Sequence, residues 1–308
     1  MTHSVVGFGA VGITRVALCC ALGEDPGKVR ARLAAGESGL RASPELADLP
    51  DDRAGVVDGP DLGPWLRRRK DRKLLARPAQ LCLAAAGRAL DGWSGDRAEL
   101  GLFVGVGREP SDSGAAEPAL LESHLAGSLD EDRLAARGRD LYPPLLPLQT
   151  LPNMALAHVS IHLGILGQNA AWAGGEEAGI QALRSAFWSV AEGRAPAALV
   201  AAADSLVDLG GARDQLRLGD SRAPGEASVA IVLERVDRAL GRGEPIRAVL
   251  DVGPPDRGAG TGPGLSSWKA LGWCGAAHGL LEVALAVVGN ETHEWVSSAG
   301  LRIRARQG

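Results

Sequence analysis

The stretch from Leu151 to Leu183 constrains this chain most, because its pattern changes period three times within a short span. It reads as helix, turn, short extended run, tight glycine turn and helix. Ile180, Leu183, Phe187 and Val190 recur at three- and four-residue steps, which is one face of a helix. Gly174 and Gly175 stand just before that helix, where they can take backbone conformations closed to other residues. A chain that turns this sharply into a buried helix often presents side chains at the helix N-terminus, and here they are Glu176 and Glu177.

Composition narrows the classes of function. At 308 residues the chain is long enough for one large or two moderate domains. A net charge of −4 carries no nucleic-acid footprint. The four cysteines are Cys19, Cys20, Cys82 and Cys274; no pair is spaced C-x-x-C, and no Cys/His set has zinc-site spacing. Adjacent Cys19 and Cys20 make a poor disulfide, so a reducing, cytoplasmic setting is expected. The apolar runs are broken by Gly, Arg or Asp, so neither a signal peptide nor a membrane helix is expected.

Two local matches point to cofactors, and each lacks its context. Gly7, Gly9 and Gly12 spell G-x-G-x-x-G after a short strand beginning at Ser4. A dinucleotide cradle needs a long buried strand before it and a ribose-binding acid on the next strand, whereas Glu24 and Asp25 sit in a polar turn. His158 and His162 are four residues apart on a helix, but no acidic third ligand is placed nearby. No cofactor and no metal are expected.

Other segments read plainly. Residues 78–91 form a helix opened by Pro78. Leu100 to Gly105 and Ala197 to Ala203 are buried-strand runs, the latter a central parallel strand ending at Asp204. Residues 108–150 are irregular, with a helical piece around Leu120 to Leu134, and Trp295 to Ile303 reads as the last strand. The run from Arg67 to Lys73 is a solvated helix face, a phosphate patch or an edge that meets an acidic protein.

Taken together, the motifs resemble those of β-ketoacyl synthases, the condensing enzymes of fatty-acid and polyketide assembly. Asn153 and Met154, Gly167 to Asn169, and Gly179 fall in register with that family's N-M helix, G-P-N turn and T-A-C-[AS]-S-G turn. Asp71 and Arg72 match an R-[RK]-[ML]-D-R segment, Gly225 to Ala227 the G-E-G-A turn, and Asp237 to Ile246 a D-x-A-x-x-R-G-x-x-I helix and turn. The resemblance implies an α/β, thiolase-like fold of α-β-α-β-α layers. Residues 1–246 correspond to the N-terminal half and 247–308 to an abbreviated C-terminal half, since only about sixty residues follow Ile246.

The resemblance also shows what is missing. The family's nucleophilic Cys position is Glu176, its first His position is Arg257 in an R-G-A-G-T loop, and its second is Trp273. Condensation needs a thiolate at a helix N-terminus, two imidazoles and an oxyanion hole. A carboxylate forms no stable thioester here, Arg is a permanent cation, and Trp offers one donor and no acceptor. His278, at the start of a later helix, is either a relocated base or a replacement for a family Gly.

The implied function is therefore a catalytically inactive homologue, resembling the chain-length factor that pairs with an active ketosynthase. Its expected partners are that ketosynthase, or a second copy of itself, with an acyl carrier protein as a further partner. Two alternatives stay open: an acyltransferase or decarboxylase that reuses the pocket through Glu176, and a structural interaction module.

Overall fold

A computed structural model describes residues 9–107, 115–253, 267–290, 293–296 and 302–307. Its centre is one eight-stranded mixed sheet. In chain order the strands are β1 (Val11–Cys19), β2 (Gly101–Val106), β3 (Asn169–Ala173), β4 (Ala197–Ser205), β5 (Glu226–Arg235), β6 (Ala248–Gly253), β7 (His293–Val296) and β8 (Arg302–Gln307). Across the sheet they run β7-β8-β6-β1-β5-β4-β2-β3. Strand β2 lies parallel to β3 and β4, and the remaining pairs are antiparallel. The first five strands thus stand in the order 3-2-4-5-1, and only three strands follow β5 among the described residues. This is a thiolase-like fold whose second half is short.

The central strands are apolar along their whole length because both faces are covered. Alternate residues go to opposite sides. Val200, Ala202, Val229 and Ile231 pack on Ile180 and Leu183 of α3 (Ala178–Ala191) and on Leu280 and Leu281 of α5 (His278–Val288). On the other face Val104, Leu199, Ala201 and Val232 meet Leu81 and Ala85 of α1 (Arg77–Ala89) and Val159 and Leu163 of α2 (Met154–Leu163). Each fully buried Leu, Ile or Val contributes about 1.5–3 kcal/mol. The sheet curls, so that α5 touches β1 and β5 and also β7 and β8.

Local sequence sets the element ends. Pro78 sits in the first turn of α1, where its missing N–H costs nothing. Helix α2 stops at Gly164, which has φ +72°. Asp208 caps α4 (Leu209–Arg217) by accepting from the Gly211 amide. The stretch from Leu151 to Leu183 folds as expected into α2, β3, the glycine turn and α3.

Among the described residues the first strand begins at Val11, and Gly12 lies inside it, paired with Val249 and Glu234. Gly9 precedes that strand, and the expected strand start at Ser4, with Gly7, lies outside the described residues. Two expectations need correction. The closing strand is instead two antiparallel strands, β7 and β8, with Trp295 opposite Ile303. The helical piece expected around Leu120 to Leu134 is broken: Glu117–Ser123, two short paired strands, then a helical run through Glu131–Arg133, a π turn at Leu134–Gly138 and Arg139–Leu141.

Helices α3 and α5 cross at two glycines. A Cβ on Gly179 would lie 2.7 Å from the Ala276 carbonyl oxygen and 2.9 Å from the Ala202 Cβ. Gly179→Ala should therefore lower unfolding stability by about 2 kcal/mol through overpacking. Gly174→Ala, whose added Cβ meets nothing within 4 Å, should change it by less than about 0.5 kcal/mol. Urea unfolding midpoints of the two variants check this.

Candidate functional site

The carboxyl ends of β2, β3 and β4 lie side by side and carry Gly107, the Gly174–Glu177 turn and Asp204. Open α/β sheets bind ligands at this edge. The turn leads straight into α3, so the free N–H groups of its first turn face the same edge. Glu176 is exposed there, and Glu177 is the residue from which α3 starts. An exposed carboxylate at a helix N-terminus is favoured by the dipole, but it is no nucleophile toward thioesters.

The second central helix brings the other half of the site. A Cβ on Gly279 would meet Ile180 at 2.7 Å and the Glu176 carbonyl oxygen at 3.4 Å. The start of α5 is thereby held against the turn that carries Glu176. Asp204 fixes this arrangement from β4: one carboxylate oxygen accepts the Ala276 amide at 2.9 Å and the other accepts the Ser205 amide at 2.9 Å. Burial pushes the Asp204 carboxyl up to about 6, against the lowering effect of those two amides.

Trp273 is 8% exposed and packed on both sides. The Arg222 guanidinium lies 3.2 Å from its ring centroid, and the His278 ring lies 4.4 Å away on a tilt of 42°. Its backbone pairs with the 223–225 segment, donating to the Ala223 carbonyl at 2.7 Å and accepting from Gly225 at 2.9 Å. The indole therefore occupies its place as a packed element. His278 points its Nε2 at Glu282, 3.4 Å away, and Ser267 donates to the same carboxyl. Burial holds His278 down at about 4 and raises Glu282 to about 7, so the imidazole is neutral at physiological pH. Arg257 lies outside the described residues.

The expected histidine pair on α2 faces the backbone of the segment before α1. The His158 and His162 rings stack 5.9 Å apart with 9° between planes, and each bonds the backbone of the 67–74 segment. Among the described residues no group of three His, Cys, Asp or Glu could hold a metal ion.

One ion pair was not anticipated. Arg77, at the start of α1, donates to fully buried Glu226 through Nη2 at 2.6 Å and Nε at 2.9 Å. Glu226 also accepts from the Val57 amide and the Ser205 hydroxyl. The carboxylate raises the Arg77 guanidinium further above its ordinary value. The basic run instead places Arg69–Leu74 in an exposed 3₁₀ helix, so Asp71 and Arg72 do not enter the core. The signal that could have found Arg77 is its place directly before Pro78, where the apolar face of α1 begins. Beside the pair lies a cavity of about 460 Å³ that also involves Gln149, Thr150 and Asp208.

Asp204 makes a testable pH signature. A carboxyl raised on folding stabilises the fold below its unfolded value near 4, and that contribution is lost as pH rises through about 6. Between pH 4 and 7 the wild type should lose roughly 2 kcal/mol relative to Asp204→Asn. Urea unfolding at the two pH values reads the difference.

The geometry has counterparts in known proteins. Residues 9–226 match the family model of the beta-ketoacyl synthase N-terminal domain. Among solved structures, the ishigamide ketosynthase/chain length factor superposes with a TM-score of 0.72 at 18% identity, covering 98% of this chain and 100% of that one. The AntDE:AntF complex, a type II PKS acyl-carrier protein with its ketosynthase bound to the hexaketide, gives 0.71 at 14% identity over 96% and 98%. A beta-ketoacyl synthase from Burkholderia phymatum STM815 gives 0.67 at 15% over 97% and 100%. No curated protein sequence matches. At these identities the structural likeness establishes the fold alone, whereas the family model spans well over half of the sequence; the chain belongs to the beta-ketoacyl synthase family.

Proposed function

We propose that this chain is a ketosynthase-family subunit with no condensing activity of its own, acting as a chain-length-factor-like partner of an active ketosynthase. The pathway is fatty-acid, polyketide or aryl-polyene-type assembly. The observation that carries this reading is Glu176, exposed at the N-terminus of α3 where the family places its nucleophilic thiol. The four cysteines are buried elsewhere, and none stands at that turn. Trp273, at the second histidine position, is locked between Arg222 and His278 and accepts no proton. A chain with those two replacements keeps the scaffold and lacks the chemistry.

Its surface supports the partner role. Among the described residues strand β3 ends the sheet with its outer edge unpaired, and its residues alternate between exposed and half-buried. Such an edge invites a further strand from another chain. Beside it lies a groove of about 580 Å³ formed by Phe103, Trp172, Trp188, Arg184 and Arg194. Leu145, Leu151, Ile161 and Leu166 are exposed in the segments flanking β3. The similar structures include a ketosynthase/chain length factor and an acyl-carrier protein in complex with its ketosynthase. Arg67 to Lys73 would offer an acidic carrier protein a cationic edge. Among the described residues no helix is long and apolar enough to cross a membrane, and the proposed setting is the cytoplasm.

The competing reading makes Glu176 a general base in a reused pocket. A carboxylate gains that ability when desolvated, and Glu176 is exposed. The test is intact-protein mass spectrometry of the chain with acyl- and malonyl-carrier protein, alone and with an active ketosynthase from the same pathway. The expected result is no acylation and no decarboxylation by the lone chain, and a stable complex with the ketosynthase. Turnover by the lone chain that is abolished in Glu176→Gln would establish the competing reading.

A further inference from the structure

The segment from Arg67 to Leu74 carries six cationic side chains and one carboxylate, all but Asp71 and Leu74 exposed to solvent. Its interior is a 3₁₀ turn, Arg69–Leu74, a weak element on its own. What holds it is one face of α2. At one end the Arg67 amide donates to His162 Nδ1 at 3.3 Å. At the other, His158 Nε2 donates to the Leu74 carbonyl oxygen at 3.2 Å. The two imidazoles, one helical turn apart, are stacked and buried.

These two bonds respond to acid in opposite ways. His158 acts as a donor, and an imidazolium still donates. His162 acts as an acceptor through Nδ1, and protonation fills that lone pair. A protonated His162 would also set a cation against the Arg67 amide, and against His158 once that ring is charged. We propose that His162 is an acid-sensitive clamp: neutral, it holds the Arg67 end of the basic segment on α2, and protonated, it releases it.

The surroundings of the pair agree with a neutral resting state. Burial lowers both rings below the ordinary imidazole value, outweighing the Leu148 and Leu74 carbonyls that act on His158 and Asp71, the one carboxylate that acts on both. Arg67 and the neighbouring His158 lower His162 further. From α1 the face toward α2 is apolar, with Ala79, Leu83 and Ala86 in the shared core. From the segment before α2 come the Leu148 carbonyl, near His158, and Gln149, which donates to Lys73 O at 2.7 Å. Arg97 binds the Leu163 carbonyl at the end of α2. A base whose value is lowered on docking favours the docked state at high pH, and that preference is lost as pH falls through about 6.5.

Hydrogen–deuterium exchange of peptides covering residues 66–76 tests the clamp on the full chain, at pH 7.5 and 5.5, with intrinsic rates corrected. One imidazole with an ordinary value in the released state should raise the open population up to about tenfold over that range. His162→Asn supplies an amide oxygen in place of Nδ1 and does not titrate. It should keep the segment protected at both pH values, while peptides from α1 exchange as in the wild type. His162→Leu, with no acceptor, should expose the segment at both. An unchanged pH response in His162→Asn, or its loss in His158→Asn alone, would overturn the assignment.

Discussion

Two helices that enter the middle of the molecule nose to nose set the terms for everything around them. Helices α3 and α5 approach so closely that Gly179 faces the Ala276 carbonyl and Gly279 faces Ile180 and the Glu176 carbonyl. Neither position has room for a side chain. Asp204 reaches from the end of β4 to take the Ala276 amide, joining the sheet to the lead-in of α5. The crossing puts the turn after β3 and the loop before α5 at one edge of the sheet. Whatever the molecule does there, it does with residues this crossing has placed.

The residues placed there set its chemistry. A helix N-terminus can activate a thiol, whereas an exposed carboxylate stands on this one. The Trp273 indole lies against a guanidinium. The neighbouring imidazole, His278, is buried and neutral beside a carboxyl raised to about 7. The two close-packed glycines and the buried Asp204 build the site, and the side chains presented on it are a carboxylate, an indole and a neutral imidazole. Outside the site the described residues present an edge strand and a cationic segment, the surfaces on which the proposed partner role rests.

Much of this was legible in the residues. The switch from helical to extended period around Gly167 and the paired glycines at 174 and 175 announced α2, β3 and α3, and the apolar run at Ala197 announced a strand covered on both faces. What stayed hidden was long-range. The register of the first described strand is set by Val249 and Glu234 opposite Gly12, which come from far along the chain and leave no local signal. No local signal pairs Arg77 with Glu226, because the two lie about 150 residues apart. Strands β7 and β8 read as a single strand because the sequence has no strong breaker between Val296 and Gly300. The role of His158 and His162 lies in whose backbone they hold, which spacing on a helix does not reveal.

The central claim is that the fold still displays position 176 as the nucleophile position, with only the side chain changed. Alkylation of the Glu176→Cys variant across a pH series tests it directly, because Cys19, Cys20, Cys82 and Cys274 are all buried and should stay unmodified in the folded protein. The expected result is a single modification at the substituted position, with a thiol that titrates below the ordinary value of about 8.5 because the start of α3 stabilises the thiolate. An introduced thiol that is protected from reagent, or that titrates at or above about 8.5, would contradict it.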